Sequence, residues 1–180
     1  TCYNNIKYTT TSCNFTSTGL KNDTTKKMIA ETIYYTRGHD TSKIYVDAMY
    51  DKERVSGTVV NATPPRKLTW KGKIALAYPS DYGYAADLSL CQQTLNNYDN
   101  STCTANNWMK SILAPNYGCL LTPDSAYADV AWIVGSFGGV NNVNETSSAN
   151  GVAPVLSLNS ELDIKLGSGT SSSPYQLSVN

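Results

Sequence analysis

The sequence is poor in charge. Charged residues make up 16% of the chain, and 14 basic residues balance 14 acidic ones, so the formal net charge is zero. Proteins that bind a nucleic-acid backbone concentrate Lys and Arg on one face, and helices that lie on membranes carry a basic polar side. The composition therefore argues against nucleic acid as a partner and against electrostatic binding to a lipid surface.

Long apolar runs are missing as well. The longest runs, such as Ile74 to Tyr78, have the length of a β-strand, whereas a transmembrane helix needs about 20 apolar residues. We therefore expect no direct membrane insertion by this segment. The numbering opens directly on Thr1-Cys2-Tyr3, and no signal peptide is visible within it. Because a surface protein has to be delivered and anchored, we expect an anchor in an upstream segment outside this numbering.

The sequence lacks the motifs of common catalytic and metal sites. It contains no CxxC and no Gly-x-Ser-x-Gly, and its one histidine, His39, follows Gly38 in a predicted loop. The carboxylates near Asp47 stand among Lys and Arg residues, as ordinary surface charges do, and the glycine-rich stretch 135–139 lacks the lysine of a phosphate loop. We predict that the chain is not an enzyme and binds no cofactor or metal.

Neutral polar residues and tyrosine are abundant instead. Ser, Thr and Asn are frequent throughout, and the chain contains 13 Tyr. Such surfaces are typical of secreted adhesive and recognition domains, in which tyrosine supplies contact area. The simpler interpretation is an extracellular β-rich domain without a dedicated tyrosine-built face.

The five cysteines suggest two local disulfides. Cys2 with Cys13, and Cys91 with Cys103, would each close a short loop, and a crosslink of this size stabilises a fold by about 3 kcal/mol. A metal site is the weaker alternative because the chain has a single histidine. Disulfides indicate an oxidising, extracellular location. Cys119 is left over among apolar neighbours, and we interpret it as a buried, unreactive thiol.

The order of predicted elements indicates one α+β domain. Residues 1–20 are expected to form a disulfide-closed loop that continues an upstream segment, and residues 21–180 a single domain. Helical patterns come first and alternating apolar patterns dominate the last third. Helices are predicted over 24–36, about 85–95 and 108–113, and strands over 43–50, 55–60, 70–78, 131–134, 139–144, 152–158, 162–166 and 175–179.

Six segments in the same order along the chain carry a family resemblance: Cys13–Leu20, Lys73–Ala85 (KIALAYPSDYGYA), Asn106–Trp108, Leu121–Pro123, Gly151–Leu158 (GVAPVLSL) and Gly167–Leu177. Together they resemble an uncharacterised family of bacterial surface proteins, and the resemblance covers most of residues 13–179. The C-terminal domain of that family is related to the C-type-lectin-like fold of formylglycine-generating enzymes and retroelement-diversified variable proteins. Members often carry a prepilin-like or lipoprotein anchor.

The resemblance implies a compact C-type-lectin-like domain with two or three short helices, an antiparallel C-terminal β-meander and long loops. It also implies a ligand face near the C-terminal hairpins. One departure is Ala153, where the family pattern has arginine. The calcium-lectin signatures Glu-Pro-Asn and Trp-Asn-Asp are absent, so we do not predict calcium-dependent sugar binding. Formylglycine-type oxidation would need a reactive cysteine pair, and Cys119 has no cysteine close to it in the sequence.

Six residues on one predicted hairpin and its approach are the candidate ligand contacts. Aromatic rings supply rigid contact area, and asparagines supply adaptable hydrogen bonds. The alternative interpretation is that the tryptophan belongs to the core and that the asparagines only turn the chain. The candidates are Tyr127, Trp132, Phe137, Asn141, Asn142 and Asn144.

These observations predict a non-enzymatic, extracellular surface protein that acts as a ligand-binding or adhesive module. The alternative is a structural subunit of a pilus-like or other extracellular filament, because a neutral surface permits close self-association and exposed strand edges can pair between copies. The expected partner is an unidentified extracellular ligand or further copies of the chain, so a homo-oligomer is one outcome.

Overall fold

The computed structural model describes residues 23–58, 67–127, 129–144 and 150–179. The predicted loop over residues 1–20 and the predicted Cys2–Cys13 pairing lie outside this part of the chain. Within the described residues the protein combines short helices with antiparallel strands, as an α+β domain does.

The described residues form five short α-helices, whereas the sequence predicts two or three. A π-helical turn follows the second helix, and two 3₁₀ turns flank the last two helices. The α-helices are α1 Asp23–Met28, α2 Val46–Asp51, α3 Pro79–Tyr84, α4 Ser101–Ala105 and α5 Lys110–Leu113; the π turn is Lys52–Ser56 and the 3₁₀ turns are Leu95–Asn97 and Ala114–Asn116.

Over the described ranges, the strands pair in four small antiparallel sheets. β1 pairs with β2, β3 with β7 and β8 with β9, while β4, β5 and β6 form a three-stranded meander. The strands are β1 Thr32–Tyr35, β2 Thr69–Gly72, β3 Ala75–Leu76, β4 Gly118–Pro123, β5 Val130–Val134, β6 Val140–Asn144, β7 Pro154–Val155, β8 Leu162–Leu166 and β9 Gln176–Val179.

The core lies between the meander and the helices. In β5, Trp132, Ile133 and Val134 are buried, and Val134 stands opposite the buried Val140 of β6. One face of this sheet packs against side chains from the helical half of the chain. The largest buried partners from that half are Met49, Tyr82, Leu95, Tyr98 and Leu113.

Several predicted strands and helices are confirmed. The helix over 108–113 is present as α5, and the strands over 131–134, 139–144, 162–166 and 175–179 are present as β5, β6, β8 and β9. Of the strand over 70–78, two short pieces form, β2 and β3. The predicted C-terminal meander is interrupted, because β7 pairs with β3 and not with a sequence neighbour.

Three predicted elements at the start of the domain differ in part from the structure. The helix over 24–36 ends at Met28, because the β-branched and aromatic residues Thr32–Tyr35 pair with β2. The strand over 43–50 is largely helix α2, whose Val46 and Met49 share one buried face. Within the strand predicted over 55–60, residues up to Ser56 belong to the π turn, and 59–60 lie outside the described residues.

The helix predicted over 85–95 is also misplaced. The helix lies earlier, at Pro79–Tyr84, because proline is favourable at a first helical position. The Asp81 carboxylate accepts a hydrogen bond from the backbone N–H of Tyr78 (3.0 Å), which satisfies a donor at the helix start. Of the strand predicted over 152–158, only Pro154–Val155 forms.

The Cys91–Cys103 pair stands at disulfide distance, as predicted. The two Cα atoms are 4.8 Å apart, and both side chains are buried. The loop that the pair closes supports the turn between β5 and β6. The Tyr82 hydroxyl donates to the carbonyl of Gly138 (2.8 Å) beside this loop, and a Cβ on Gly139 would lie 2.7 Å from the backbone oxygen of Asn96.

Replacing Cys91 and Cys103 together by Ala should lower the free energy of unfolding by about 3 kcal/mol, because the unfolded chain regains the freedom of the closed loop. Chemical denaturation without reductant measures this difference. Peptide mapping of the wild-type protein should recover the crosslinked pair. An unchanged unfolding midpoint in the double variant would contradict the assignment.

Candidate functional site

A pocket of about 370 Å³ opens on the surface beside α3. Its buried part is formed by small and apolar side chains, and its exposed part by two aromatic residues. Tyr84 is 46% exposed and Trp108 67% exposed. We call this site the aromatic pocket; its lining residues are Ala77, Asp81, Tyr84, Ala85, Trp108, Met109 and Val155.

Asn107 fixes the backbone that carries Trp108. Its side chain is buried, and Nδ2 donates to the carbonyl of Tyr82 (2.8 Å) while Oδ1 accepts from the N–H of Met109 (3.0 Å). The N–H of Trp108 donates to the carbonyl of Ala85 at 3.4 Å. The exposed indole is therefore attached to backbone that is tied to the end of α3.

Three of the segments that carry the family resemblance meet at the aromatic pocket. Lys73–Ala85 contributes four lining residues, Asn106–Trp108 contributes Trp108, and Gly151–Leu158 contributes Val155. Ala153 is half-buried against the same core as Val155, as expected for residues two apart in an extended chain. Ala153, where the family pattern has arginine, is therefore two residues from Val155 and on the same face of the chain as this lining residue.

A partly buried ionic cluster adjoins the pocket at Asp81. Arg54 Nη2 lies 3.1 Å from Asp81 Oδ1, and Arg54 Nη1 lies 2.7 Å from Glu53 Oε2. Nη1 also donates to Ser80 Oγ at 2.9 Å. The π turn, which carries Glu53 and Arg54, is thereby joined to the first turn of α3.

The Arg54 guanidinium is also stacked between two tyrosine rings. Its central carbon lies 4.2 Å from the ring centre of Tyr50 and 4.0 Å from that of Tyr78. The Tyr78 hydroxyl donates to the carbonyl of Tyr35 (2.8 Å) and accepts from its N–H (2.6 Å), which links the cluster to β1. A planar cation suits this position because it stacks and hydrogen-bonds at once, which lysine does not.

Glu53 is fully buried. Its Oε1 accepts from the N–H of Ser80 at 3.0 Å, and its Oε2 accepts from the Ser80 hydroxyl. Burial raises the pKa of Glu53 to about 7, although the hydrogen bonds from Ser80 and the charge of Arg54 act to lower it. Glu53 therefore titrates near neutral pH while it is shielded from solvent.

The structure separates the predicted aromatic contacts. Tyr127 (62% exposed) precedes β5, and Phe137 (79% exposed) follows it. A five-residue strand spans about 17 Å, so the two rings stand near opposite ends of β5 and do not share a patch. Trp132, midway along β5, is fully buried in the core, which agrees with the alternative interpretation of this residue and removes its ring from the protein surface.

The predicted asparagines also fall into different environments. Asn141 is exposed, and its amide lies near the turn at Gly135. Asn142 Nδ2 donates to the buried Asp124 carboxylate (2.8 Å), which also accepts the N–H of Tyr127 at 2.9 Å. Asn142 therefore stabilises the segment at Asp124 that precedes β5. Asn144 ends β6, and its side chain lies outside what the structure describes.

His39 and Cys119 stand away from any cluster of potential metal ligands. The backbone of His39 bridges that of Asp124, and desolvation by burial lowers the pKa of its imidazole. Cys119, which the sequence predicts to be buried, is only half-buried, on β4 opposite Ile133. Within the described ranges, no three or more His, Cys, Asp or Glu side chains are grouped so that they could hold a metal ion.

The candidate ligand contacts from the sequence include none of the residues that line the aromatic pocket. Asp81, Tyr84 and Trp108 lie in the family-like segments, but their clustering depends on contacts between distant parts of the chain. One usable signal in the sequence is Asn107, because asparagine caps backbone N–H groups at helix starts and here stands directly before Trp108. A second signal is the group of three tyrosines within Tyr78–Tyr84.

The sequence matches no protein-family model, and no curated protein or solved structure is significantly similar to it. The family resemblance therefore stays a prediction from the sequence. Over the part of the chain that the structure describes, no helix combines the length and apolarity needed to span a bilayer.

Replacing Arg54 by Ala should destabilise the fold by about 3–5 kcal/mol, because Glu53 would remain buried without its counter-ion. Arg54→Lys should recover part of this loss, since it restores the charge without the stacking. Lys71→Ala is the matched control, because Lys71 pairs with Glu31 at the surface. Denaturant unfolding measures all three, and similar values for the Arg54 and Lys71 variants would contradict the assigned role.

Glu53 should make the fold less stable as the pH rises. Its pKa is about 7 in the fold against 4.5 for the ordinary group, so its contribution is fully present below pH 4.5 and is lost as the pH rises through 7. The difference corresponds to about 3 kcal/mol. Unfolding of wild type and Glu53→Gln across this range isolates the effect, with the exposed Glu31→Gln as control. Parallel pH profiles for wild type and Glu53→Gln would refute it.

Proposed function

We propose that the chain is an extracellular, surface-displayed module that binds a ligand through the aromatic pocket and catalyses no reaction. The observation that carries this proposal is the exposure of Tyr84 and Trp108 at one pocket, where Ala77, Ala85 and Met109 form a buried wall. Exposed aromatic side chains on a fixed frame are frequent anchors in binding sites, and pockets of this size accommodate small ligands or side chains.

The ionisable groups near the pocket support binding over catalysis. A general acid or base has to reach its substrate, whereas Glu53 is fully buried and holds hydrogen bonds from Ser80. Asp81 lines the pocket but is paired with Arg54 and accepts from the backbone of Tyr78. Both carboxylates are engaged in holding helix α3 in place.

The extracellular location is supported by the Cys91–Cys103 pair, since disulfides persist in oxidising compartments. The short helices and antiparallel strands are compatible with the C-type-lectin-like architecture that the family resemblance implies. We include that architecture, and attachment to the cell surface by an upstream anchor, in the proposal.

A second candidate function is a structural subunit that assembles with copies of itself. The β8–β9 hairpin exposes Ile164 (60%), Leu166 (63%) and Tyr175 (55%) on a two-stranded sheet. Clustered exposed apolar residues often mark protein interfaces, and open strand edges can pair between chains. This surface is distinct in sequence from the residues that line the aromatic pocket.

Beads coated with the chain should adhere to at least one of a panel of cell surfaces, matrix proteins and polysaccharides. Trp108→Ala should reduce adhesion roughly tenfold, as expected when a central aromatic contact is lost. Phe137→Ala is the matched control, because its ring is even more exposed but lies at the β5–β6 turn, and it should adhere like wild type.

Light scattering of the same preparations separates the two candidates. Monomers at high concentration, with adhesion that depends on Trp108, support the binding module. Ordered polymers that dissociate on replacing Ile164 and Leu166 by Lys support the structural subunit and overturn the first proposal. Monomers that adhere to no surface contradict both.

A further inference from the structure

The polar content of the aromatic pocket restricts the chemistry of its ligand. Asp81 is its one formally charged lining residue, and the described lining contains no Lys, Arg or His. The Asp81 side chain is 42% exposed, so its oxygens can still meet a ligand. An ionised carboxylate is negatively charged and only accepts hydrogen bonds. Asp81 would therefore repel an anion in this pocket.

The positive charge of Arg54 does not cancel this preference. Its guanidinium is 17% exposed and lies 2.7 Å from the carboxylate of Glu53, as well as 3.1 Å from that of Asp81. With Glu53 ionised, the three groups sum to one negative charge, and with Glu53 protonated they sum to zero; its pKa of about 7 makes both states common near neutral pH. In neither state is the sum positive. Asp81 lines the pocket, whereas Glu53 is fully buried.

The two aromatic residues favour a cation for a second reason. The faces of Tyr and Trp rings carry negative electrostatic potential, and an adjacent cation gains about 0.5–2 kcal/mol from each suitable ring. Tyr84 and Trp108 both line the pocket with exposed side chains. The Asp81 carboxylate and the two rings therefore all favour a positively charged ligand.

The apolar walls of the pocket then distinguish between cations. A primary ammonium has three N–H donors and a guanidinium has five, and each donor that an apolar wall cuts off from water without a partner costs about 1–3 kcal/mol. The lining offers one carboxylate and the polar ends of two rings, while Ala77, Ala85, Met109 and Val155 supply apolar surface. A hydroxyl-rich saccharide meets the same shortage.

We propose that the aromatic pocket binds a quaternary ammonium group, such as that of choline or of a trimethylated lysine side chain. Its methyl groups have no donors to satisfy and match the apolar walls, while its charge is attracted by Asp81 and by the rings of Tyr84 and Trp108. This inference rests on the proposed binding function and specifies the ligand class for the same pocket.

The test titrates the folded chain with choline and with dimethylbutanol, in which a carbon atom replaces the ammonium nitrogen. Calorimetry and tryptophan fluorescence both report binding. Choline should bind saturably and at least tenfold more tightly than the neutral isostere. Trp108→Leu should weaken choline roughly tenfold, Trp108→Phe should weaken it less, and Phe137→Leu should leave it unchanged.

Two further ligands identify the source of the group. Glycerophosphocholine represents a lipid or glycan headgroup, and a peptide with trimethyllysine represents a modified protein; unmethylated lysine in the same peptide should bind at least tenfold more weakly. Equal binding of choline and dimethylbutanol, no binding of any quaternary ammonium, or choline binding that survives Trp108→Leu would each overturn the inference. Binding of a neutral saccharide in place of choline would also overturn it.

Failure of this inference is distinguishable from failure of the proposed function. Adhesion that depends on Trp108 but is not inhibited by choline leaves the binding module in place and refutes the ligand class. Choline binding by a chain that adheres to no surface supports the ligand class and refutes the adhesive function. Circular dichroism of each variant establishes that the comparison is made on folded protein.

Discussion

The stacked and ion-paired Arg54 holds together three parts of the chain that are far apart in sequence. Its guanidinium joins the π turn to α3 through Glu53, Ser80 and Asp81, and the ring of Tyr78 that covers it reaches β1. Removing one partner would leave a buried charge uncompensated, which costs far more than a surface pair contributes. The placement of α3, and with it one side of the aromatic pocket, depends on this cation.

The pocket follows from two rigid supports that act on neighbouring residues. Arg54 fixes the start of α3 at Asp81, and Asn107 fixes its end by bonding to the carbonyl of Tyr82. Tyr84 is the last residue of the helix, two residues after Tyr82, and Trp108 follows Asn107 directly. A binding group is most effective when its own support is ordered before the ligand arrives, and both aromatic residues meet that condition.

Features that depend on neighbouring residues could be predicted from the sequence, whereas most contacts between distant parts of the chain could not. The pairing of Cys91 with Cys103 and the strands β5, β6, β8 and β9 follow from spacing and alternation, which act over a few residues. The early elements were misjudged because Thr32–Tyr35 has to pair with β2 across more than thirty residues, and tertiary pairing overrides local propensity. The predicted site was wrong for the same reason. Tyr127 and Phe137 are near in sequence but stand at opposite ends of β5. Trp108 and Tyr84 are distant in sequence and line one pocket only in the folded chain.

The exposure of Trp108 is difficult to explain by stability alone. Burying a large aromatic side chain is one of the most favourable steps in folding, and a single exposed apolar residue would be unremarkable. Here Trp108 lines the same pocket as a second exposed aromatic, Tyr84, and the buried side chain of Asn107 holds the adjoining backbone. The hydrogen bonds of Asn107 stabilise the junction with α3, but they do not require a tryptophan at the next position. The exposed ring is consistent with a partner that is supplied from outside the chain.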